Sequence, residues 1–519
     1  MISVDRSSSN NNHRRFVLFA VIAVCTGLLV VGAAGAAEVT TVEDGQSIQD
    51  AIDGADDGDT IAIKSATFEE SITVNKELTI EAVGDEPTIL NGTGADGSTG
   101  IVVTASDVTI DGLEVHAFDR HGISVQGVSG VTVDGVTVAD NGGVGVLFEN
   151  SLGGTVTDSV VTGNGFEIDE DDLDVGSPPV PGIRFFDSPN GEITNNIAND
   201  NARQGINIWN QSAGALVAGN TASGNDRSGI YVEDTNTVNI TDNTAEENGY
   251  RGIHVESTTR FGQETEILAG IEVRGNEIAN NSQSDETSQT YSGIFVQNVD
   301  GALVEDNVLE RNLRAIVAEE TINVEIWGND ISDPRVQTSH ELQAIDSQNV
   351  VIEDNTLTNI GQGILVSEDG FGMSGNNPFD SSNAEIRGND ITNVGGGAAI
   401  QLGFSEDGAT YNGSTDAVIE DNVIENTSGS AIDLAGLSSG TAIENNEVTN
   451  GGPSGVLVTR GGAEDSTDPE TFVDTADVTV RNNRFNESNA GVRLRATTRA
   501  TVEHNVLARN DVGISSESN

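Results

Sequence analysis

The chain has 519 residues, with 83 acidic against 23 basic side chains, a formal charge of −60. That charge excludes nucleic-acid binding through phosphate neutralisation, whose electrostatic contribution would be repulsive. One cysteine excludes a disulfide framework, and a single long apolar run excludes a polytopic membrane protein.

Residues 1–37 read as an export signal. Asn10 to His13 are polar, Arg14 and Arg15 are positive, Phe16 to Val31 are apolar, and Gly32 to Ala37 are small enough for cleavage. Arg14-Arg15-Phe16-Val17-Leu18 is similar to a twin-arginine signal. Cys25 lies inside the apolar run and reads as part of it. Left uncleaved, residues 16–34 would be just long enough to span a bilayer. No second such segment follows, so the cleaved chain is expected to have no integral membrane domain.

The body is one repeat, clearest from about residue 100 onward. Its unit is Gly-apolar-x-apolar, a polar gap, then apolar-x-apolar-x-x-Asn. Gly182, Gly205, Gly229 and Gly252 follow one another by 23, 24 and 23 residues. Each unit holds two or three short strands of period two, separated by Gly, Asn and Asp. No useful helical periodicity appears. A unit of this size predicts an all-β chain: a single-stranded right-handed parallel β-helix of about 16 coils over 59–519. The Asn series, from Asn196 through Asn220, Asn243 and Asn276 to Asn505, is placed at the turns. There Asn tolerates a left-handed backbone and can hydrogen-bond from coil to coil as a ladder. These asparagines are therefore structural.

Insertions break the period at 166–181, 258–268, 282–291, 367–383, 404–416 and 460–476. Long loops on a solenoid tend to rim its binding face. Asp169, Asp171 and Asp172 in the first insertion offer carboxylate oxygens to Ca2+, though they lack the alternation of a calcium loop; a solvated acidic loop is the simpler reading.

Alternation sorts the Gly-apolar-x-apolar strands. With Ile206 and Ile208 inward, Asn207 and Trp209 point outward. The same register turns Arg184 and Phe186, Tyr231 and Glu233, His254 and Glu256, and Phe295 and Gln297 outward, in two columns. Arg203 and Arg227 stack beside them, Arg251 is shifted by one, and Tyr250 and Tyr291 flank the face. The chain has only two Trp and four Tyr, so this is a concentration. Aromatic faces suit sugar rings, and arginines suit uronate or sulfate groups. Arg184, Phe186, Arg203, Trp209, Arg227, Glu233 and Arg251 are thus candidate substrate-binding residues. His254, with Glu256 or Tyr231, is the candidate acid–base group. The competing reading is that Arg–Glu ladders merely neutralise a crowded acidic surface. A second candidate, Asp119-Arg120-His121-Gly122-Ile123, loosely resembles the Asp- and His-bearing strand starts of mannuronan epimerases, though the same residues fit an ordinary coil.

The repeat resembles the pectin-lyase-like right-handed parallel β-helix family, which includes polysaccharide lyases, pectin esterases, mannuronan epimerases and NosD-type periplasmic proteins. The most family-like part is the opening, Ser47-Ile48-Gln49-Asp50-Ala51-Ile52, Gly58-Asp59-Thr60-Ile61 and Phe68-Glu69-Glu70. The resemblance implies that 38–58 form an N-terminal cap, with a short helix over 47–55 closing the first coil's open edge. It also implies an acidic polysaccharide as partner and, if the chain is an enzyme, lyase or C5-epimerase chemistry; a NosD-like accessory role is a third possibility. The family's sharper motifs are absent: no Gln-Asp-Thr segment, no Asn-Thr-Asp, and only Lys64 and Lys76 for a lysine-dependent lyase. The scattered histidines give no metal-ligand pair, and no cofactor other than Ca2+ suggests itself. The acidity and the scarcity of lysine resemble haloarchaeal proteins. The expectation is an exported, salt-adapted β-helix at the cell surface or outside the cell.

Overall fold

The computed structural model describes residues 37–165, 180–258, 268–282, 291–368, 381–406, 409–411, 413–435, 438–459, 475–495 and 497–517. The export-signal reading and Asp169, Asp171 and Asp172 lie outside them. The chain from Glu38 onward is one compact unit.

Most coils lay one strand into each of three parallel sheets, and a few reach the third through a single bridging residue. From Ile206–Trp209 the chain turns into Leu216–Ala218, passes a single bridging residue, Thr221, and returns to Ile230–Glu233. The sheet containing Ile206–Trp209, called here the site sheet, runs through 17 strands from Ile72–Val74 to Val512–Glu517. The second sheet has 18 strands, from Val39–Val42 to Thr501–Glu503. The third comprises runs of 5 and 10 strands joined through bridges at Ile197 and Thr221. Among the described residues the one antiparallel pair is the hairpin of Phe404–Glu406 and Ala409–Tyr411.

Inward side chains make a continuous core. Ile206, Ile208, Ile230, Val232, Ile253 and Val255 are fully buried, each contributing about 1.5–3 kcal/mol over an exposed position. Between the second and third sheets the Asn series forms the expected ladder. Asn220 Nδ2 donates to Asn243 Oδ1, and Asn243 Nδ2 to Asn276 Oδ1, both at 3.0 Å. The left-handed residue, however, is the one before each asparagine. Asp242, Gly275, Asp306, Gly328, Asp354, Gly388 and Asp421 have φ between 53° and 68°. The asparagines keep ordinary backbone and spend both ends of their amides on neighbouring coils. Aspartate and glycine alternate at this left-handed corner for a packing reason. A Cβ on Gly275, Gly328 or Gly388 would meet Oδ1 of Asp242, Asp306 or Asp354 at 2.7, 2.5 or 2.2 Å.

A second ladder, absent from the sequence reading, joins Asn141, Asn164, Asn201, Asn225, Asn248, Asn281 and Asn312 between the third sheet and the site sheet.

The expected helix spans Ile48–Gly54, with Ser47 as N-cap accepting from Asp50 N, and it buries Ile48 and Ile52. Glu70 accepts from Ile48 N at 2.7 Å. Lys76 Nζ closes the other end on the carbonyls of Ile52, Asp53 and Ala55. Val39–Val42 already pairs with Thr60–Lys64, so the second sheet begins before the helix. No helix of the described residues is long and apolar enough to cross a membrane.

Candidate functional site

The two outward columns of the site sheet fall in the register expected from alternation. Arg184, Asn207, Tyr231, His254 and Phe295 are aligned across successive coils, as are Phe186, Trp209, Glu233, Glu256 and Gln297. The first column is buried: Arg184 is 6% exposed, Asn207 0%, His254 8% and Phe295 2%. The second column and the flanking Arg203, Arg227, Tyr250 and Tyr291 are half-buried. The accessible edge of the face is therefore the second column and its flank, and Arg184 and Arg251 lie beneath it.

Arginines and rings interleave. The Arg184 guanidinium lies 4.5 Å from the Trp209 ring and 5.2 Å from Phe186, and Phe186 and Trp209 are 5.0 Å apart. Arg251 lies 4.2 Å from Phe295, and Arg227 5.3 Å from Tyr250, which stacks on Tyr291 at 4.9 Å. Such contacts contribute about 0.5–2 kcal/mol each, more when desolvated. Burial pushes Arg184 down to about 10, while Glu149 and Glu233 favour its charge. The shift of Arg251 by one position is present: Tyr250 N donates to the Arg227 carbonyl, where Arg227 N donates to that of Arg203.

The expected Arg–Glu ladder exists on the second sheet, where Arg274 pairs with Glu305 at 2.7 Å, Arg387 with Glu353 at 2.9 Å and Arg481 with Glu444 at 2.8 Å. These pairs neutralise charge on the second sheet, whereas Arg184, Arg227 and Arg251 on the site face lie over aromatic rings.

His254, Glu256 and Tyr231 form one hydrogen-bonded chain. Arg251 Nη1 lies 3.3 Å from His254 Nδ1, His254 Nε2 lies 3.1 Å from Glu256 Oε2, and the Tyr231 hydroxyl donates to Glu256 Oε1. With Arg251 donating to Nδ1, the imidazole proton sits on Nε2 and both ring nitrogens are engaged. Burial, then Arg251, lowers His254 to about 4, so it is neutral at pH 7. Burial pushes Glu256 up, but its bonds from His254 and Tyr231 and the charge of Arg251 outweigh that and hold it at about 2. Burial, then Glu256 and Glu233, raises Tyr231. Glu233 behaves in the opposite way to Glu256. Burial, reinforced by Glu256 and Asp234 and opposed by Tyr231 and Arg184, brings it to about 7. Neighbouring carboxyls on consecutive coils are thus driven apart.

His121 also reaches this face. Its Nδ1 accepts from Val144 N at 3.1 Å, and burial, Arg120 and Arg184 lower it to about 4. Asp119 and Arg120 are exposed. No cluster of three metal-ligating side chains occurs among the described residues. The titration of Glu233 could not be read from the sequence, which gives its column but not its burial. Asp433 and Arg493, farther along the same face, were also missed. Arg493 stands at the outward position of Gly491-Val492-Arg493-Leu494, and Asp433 at the same position of Ala431-Ile432-Asp433-Leu434, where alanine stands in place of the repeat glycine.

No curated protein matches the chain. Solved structures similar to it include the A-module of mannuronan C-5 epimerase AlgE6 from Azotobacter vinelandii, at 16% identity over 88% of this chain and 92% of that one, with a TM-score of 0.41. A mutant of the periplasmic alginate epimerase AlgG is 15% identical over 79% and 83%, TM-score 0.40. The Dettilon tailspike protein is 13% identical over 68% and 66%, TM-score 0.44. The sequence profile described as "Right handed beta helix region" matches residues 46–176, 171–284, 263–403 and 370–468. With its parallel sheets and stacked asparagine ladders, the chain belongs to this right-handed β-helix family.

Proposed function

We propose that the site sheet binds an acidic polysaccharide along the solenoid axis, over Phe186, Trp209, Arg203 and Arg227. The observation that carries this reading is the interleaving of arginines with rings on one face, with Arg184 at 4.5 Å from Trp209. A sugar ring can stack on half-buried aromatics while a guanidinium beside it takes a carboxylate or sulfate. In a chain of charge −60, a polyanion needs such a local positive strip. The reading includes export, so that the protein meets its glycan at or beyond the cell surface. The test is titration of polyuronate and sulfated polymers at molar salt. Arg203→Ala with Arg227→Ala is expected to weaken binding at least about a hundredfold, for two charge-assisted contacts of about 1.5–3 kcal/mol each. Unchanged affinity would overturn the reading.

A second reading, an enzyme of lyase or epimerase type, is favoured by the Glu233–Glu256 split. His254 has no free nitrogen and Glu256 is fully ionised, which leaves Glu233 as the group able to take a proton near neutrality. The expected pH profile is one ascending limb. Glu233 is protonated and inactive below about 7 and ionised and active above it. The values of His254 and Glu256 lie too low to add a second limb between pH 5.5 and 9. Glu233→Gln should abolish the unsaturated or epimerised product while binding persists. A profile with its midpoint below 5 would assign the proton transfer elsewhere.

A further inference from the structure

The outward columns of the site sheet do not end at Gln297. Nine strands beyond Ile230–Glu233, the first column arrives at Arg493, on the strand Ala490–Arg495. Directly below it stand Leu457 and then Asp433. All three are half-buried. Arg493 makes no ion pair with a described residue, and its Nε is enclosed without a hydrogen-bond partner. Asp433 Oδ1 is likewise enclosed and has no donor. Neighbouring charges are Arg495, which sits 3.1 Å from Glu517 and also acts on Asp433. Burial lifts the Asp433 carboxyl to about 6 against the pull of Arg495.

The three side chains offer what one sugar unit of an acidic polymer presents. Arg493 can take the anionic group, Leu457 can lie against the apolar face of the ring, and Asp433 Oδ1 can accept a hydroxyl. An enclosed acceptor without a donor is unfavourable, and a ligand hydroxyl would supply the missing donor. We infer that Arg493, Leu457 and Asp433 form a second, separate acidic-sugar subsite on the same face, so that the ligand is a long chain held at both ends. This rests on the reading of the first face given above. At about 4.8 Å per strand, the two sites lie about 43 Å apart. Only a polymer bridges them, and bridging makes the second contact intramolecular, with avidity gains of about 10²–10⁴.

The test compares a uronate trisaccharide with the full polyuronate by calorimetry on the whole protein. Wild type is expected to bind two trisaccharides per chain, and the polymer at least about a hundredfold more tightly. Arg493→Ala should bind one trisaccharide, with unchanged affinity at the first face, and should lose the polymer advantage. The retained trisaccharide binding also reports that the variant is folded. If Arg493→Ala leaves stoichiometry and polymer affinity unchanged, the second subsite is overturned and the first face stands. If wild type binds neither ligand, the reading of the first face falls, and the second subsite with it.

Discussion

Replacing Asn276 by alanine is expected to destabilise the solenoid by about 4 kcal/mol, the largest effect anticipated for a single polar side chain here. Asn276 Nδ2 donates to the Ile240 carbonyl at 3.0 Å and to Asn307 Oδ1 at 2.9 Å, and its Oδ1 accepts from both N and Nδ2 of Asn243. The residue is fully buried, so no water replaces it. The variant leaves the Ile240 carbonyl, Asn243 N and one Asn243 amide proton without partners, at about 1–3 kcal/mol per group. Asn276→Asp should cost at least as much, because an acceptor then faces the Ile240 carbonyl and Asn307 Oδ1. Asn239→Ala, exposed on the strand Val238–Thr241, is the control and should stay within about 0.5 kcal/mol. Urea unfolding of the three variants checks the series. A small effect of Asn276→Ala would mean that the ladder is dispensable and that core packing alone holds the coils in register.

The second large effect concerns salt. At a charge of −60, self-repulsion opposes the compact state. Raising salt from about 0.1 to 1 M shortens the Debye length from about 10 to about 3 Å. The melting temperature is therefore expected to rise on the order of 10 °C over that range, reflecting on the order of 10 kcal/mol of relieved repulsion, since a chain of this length shifts by about 1 °C per kcal/mol. Salt also screens attractive pairs such as Arg274–Glu305 and Arg387–Glu353. Exposed pairs contribute only about 0–1 kcal/mol each, and 83 carboxylates far outnumber 23 cations, so the repulsive side dominates. Melting in NaCl and in KCl gives the check; a flat curve would remove the argument for salt adaptation.

What the sequence carried follows from two periods. The repeat of 23 or 24 residues fixes which coil stacks on which, and the alternation of two fixes which side chain faces out. Together they place Arg184, Asn207, Tyr231 and His254 in one column without coordinates. The ladder at Asn141 to Asn312 was equally legible, since Asn201, Asn225 and Asn248 each precede a repeat glycine by four residues. The left-handed corner was misplaced by one residue because Asp242 abuts Asn243, and both types tolerate that conformation. Only the packing decides which of them adopts it. Depth was not legible at all. Nothing in the pattern distinguishes the buried Arg184 from the half-buried Arg227, or lifts Glu233 while holding Glu256 down. Those differences arise from neighbours contributed by other coils.

The alternation of aspartate and glycine at that left-handed corner has a consequence for how such a protein can change length. From Asp242 to Asp421 the corner reads as a two-beat pattern, with each carboxylate occupying the space the next glycine leaves. Like charges are thereby kept about two strand spacings apart, roughly 9.6 Å. Removing one coil from this stretch would set aspartate directly on aspartate, or glycine on glycine with a void between. Removing two coils would leave every neighbour as it was. Within these coils the solenoid has a parity, and shortening or extending it is expected to succeed in pairs of coils where single-coil changes fail.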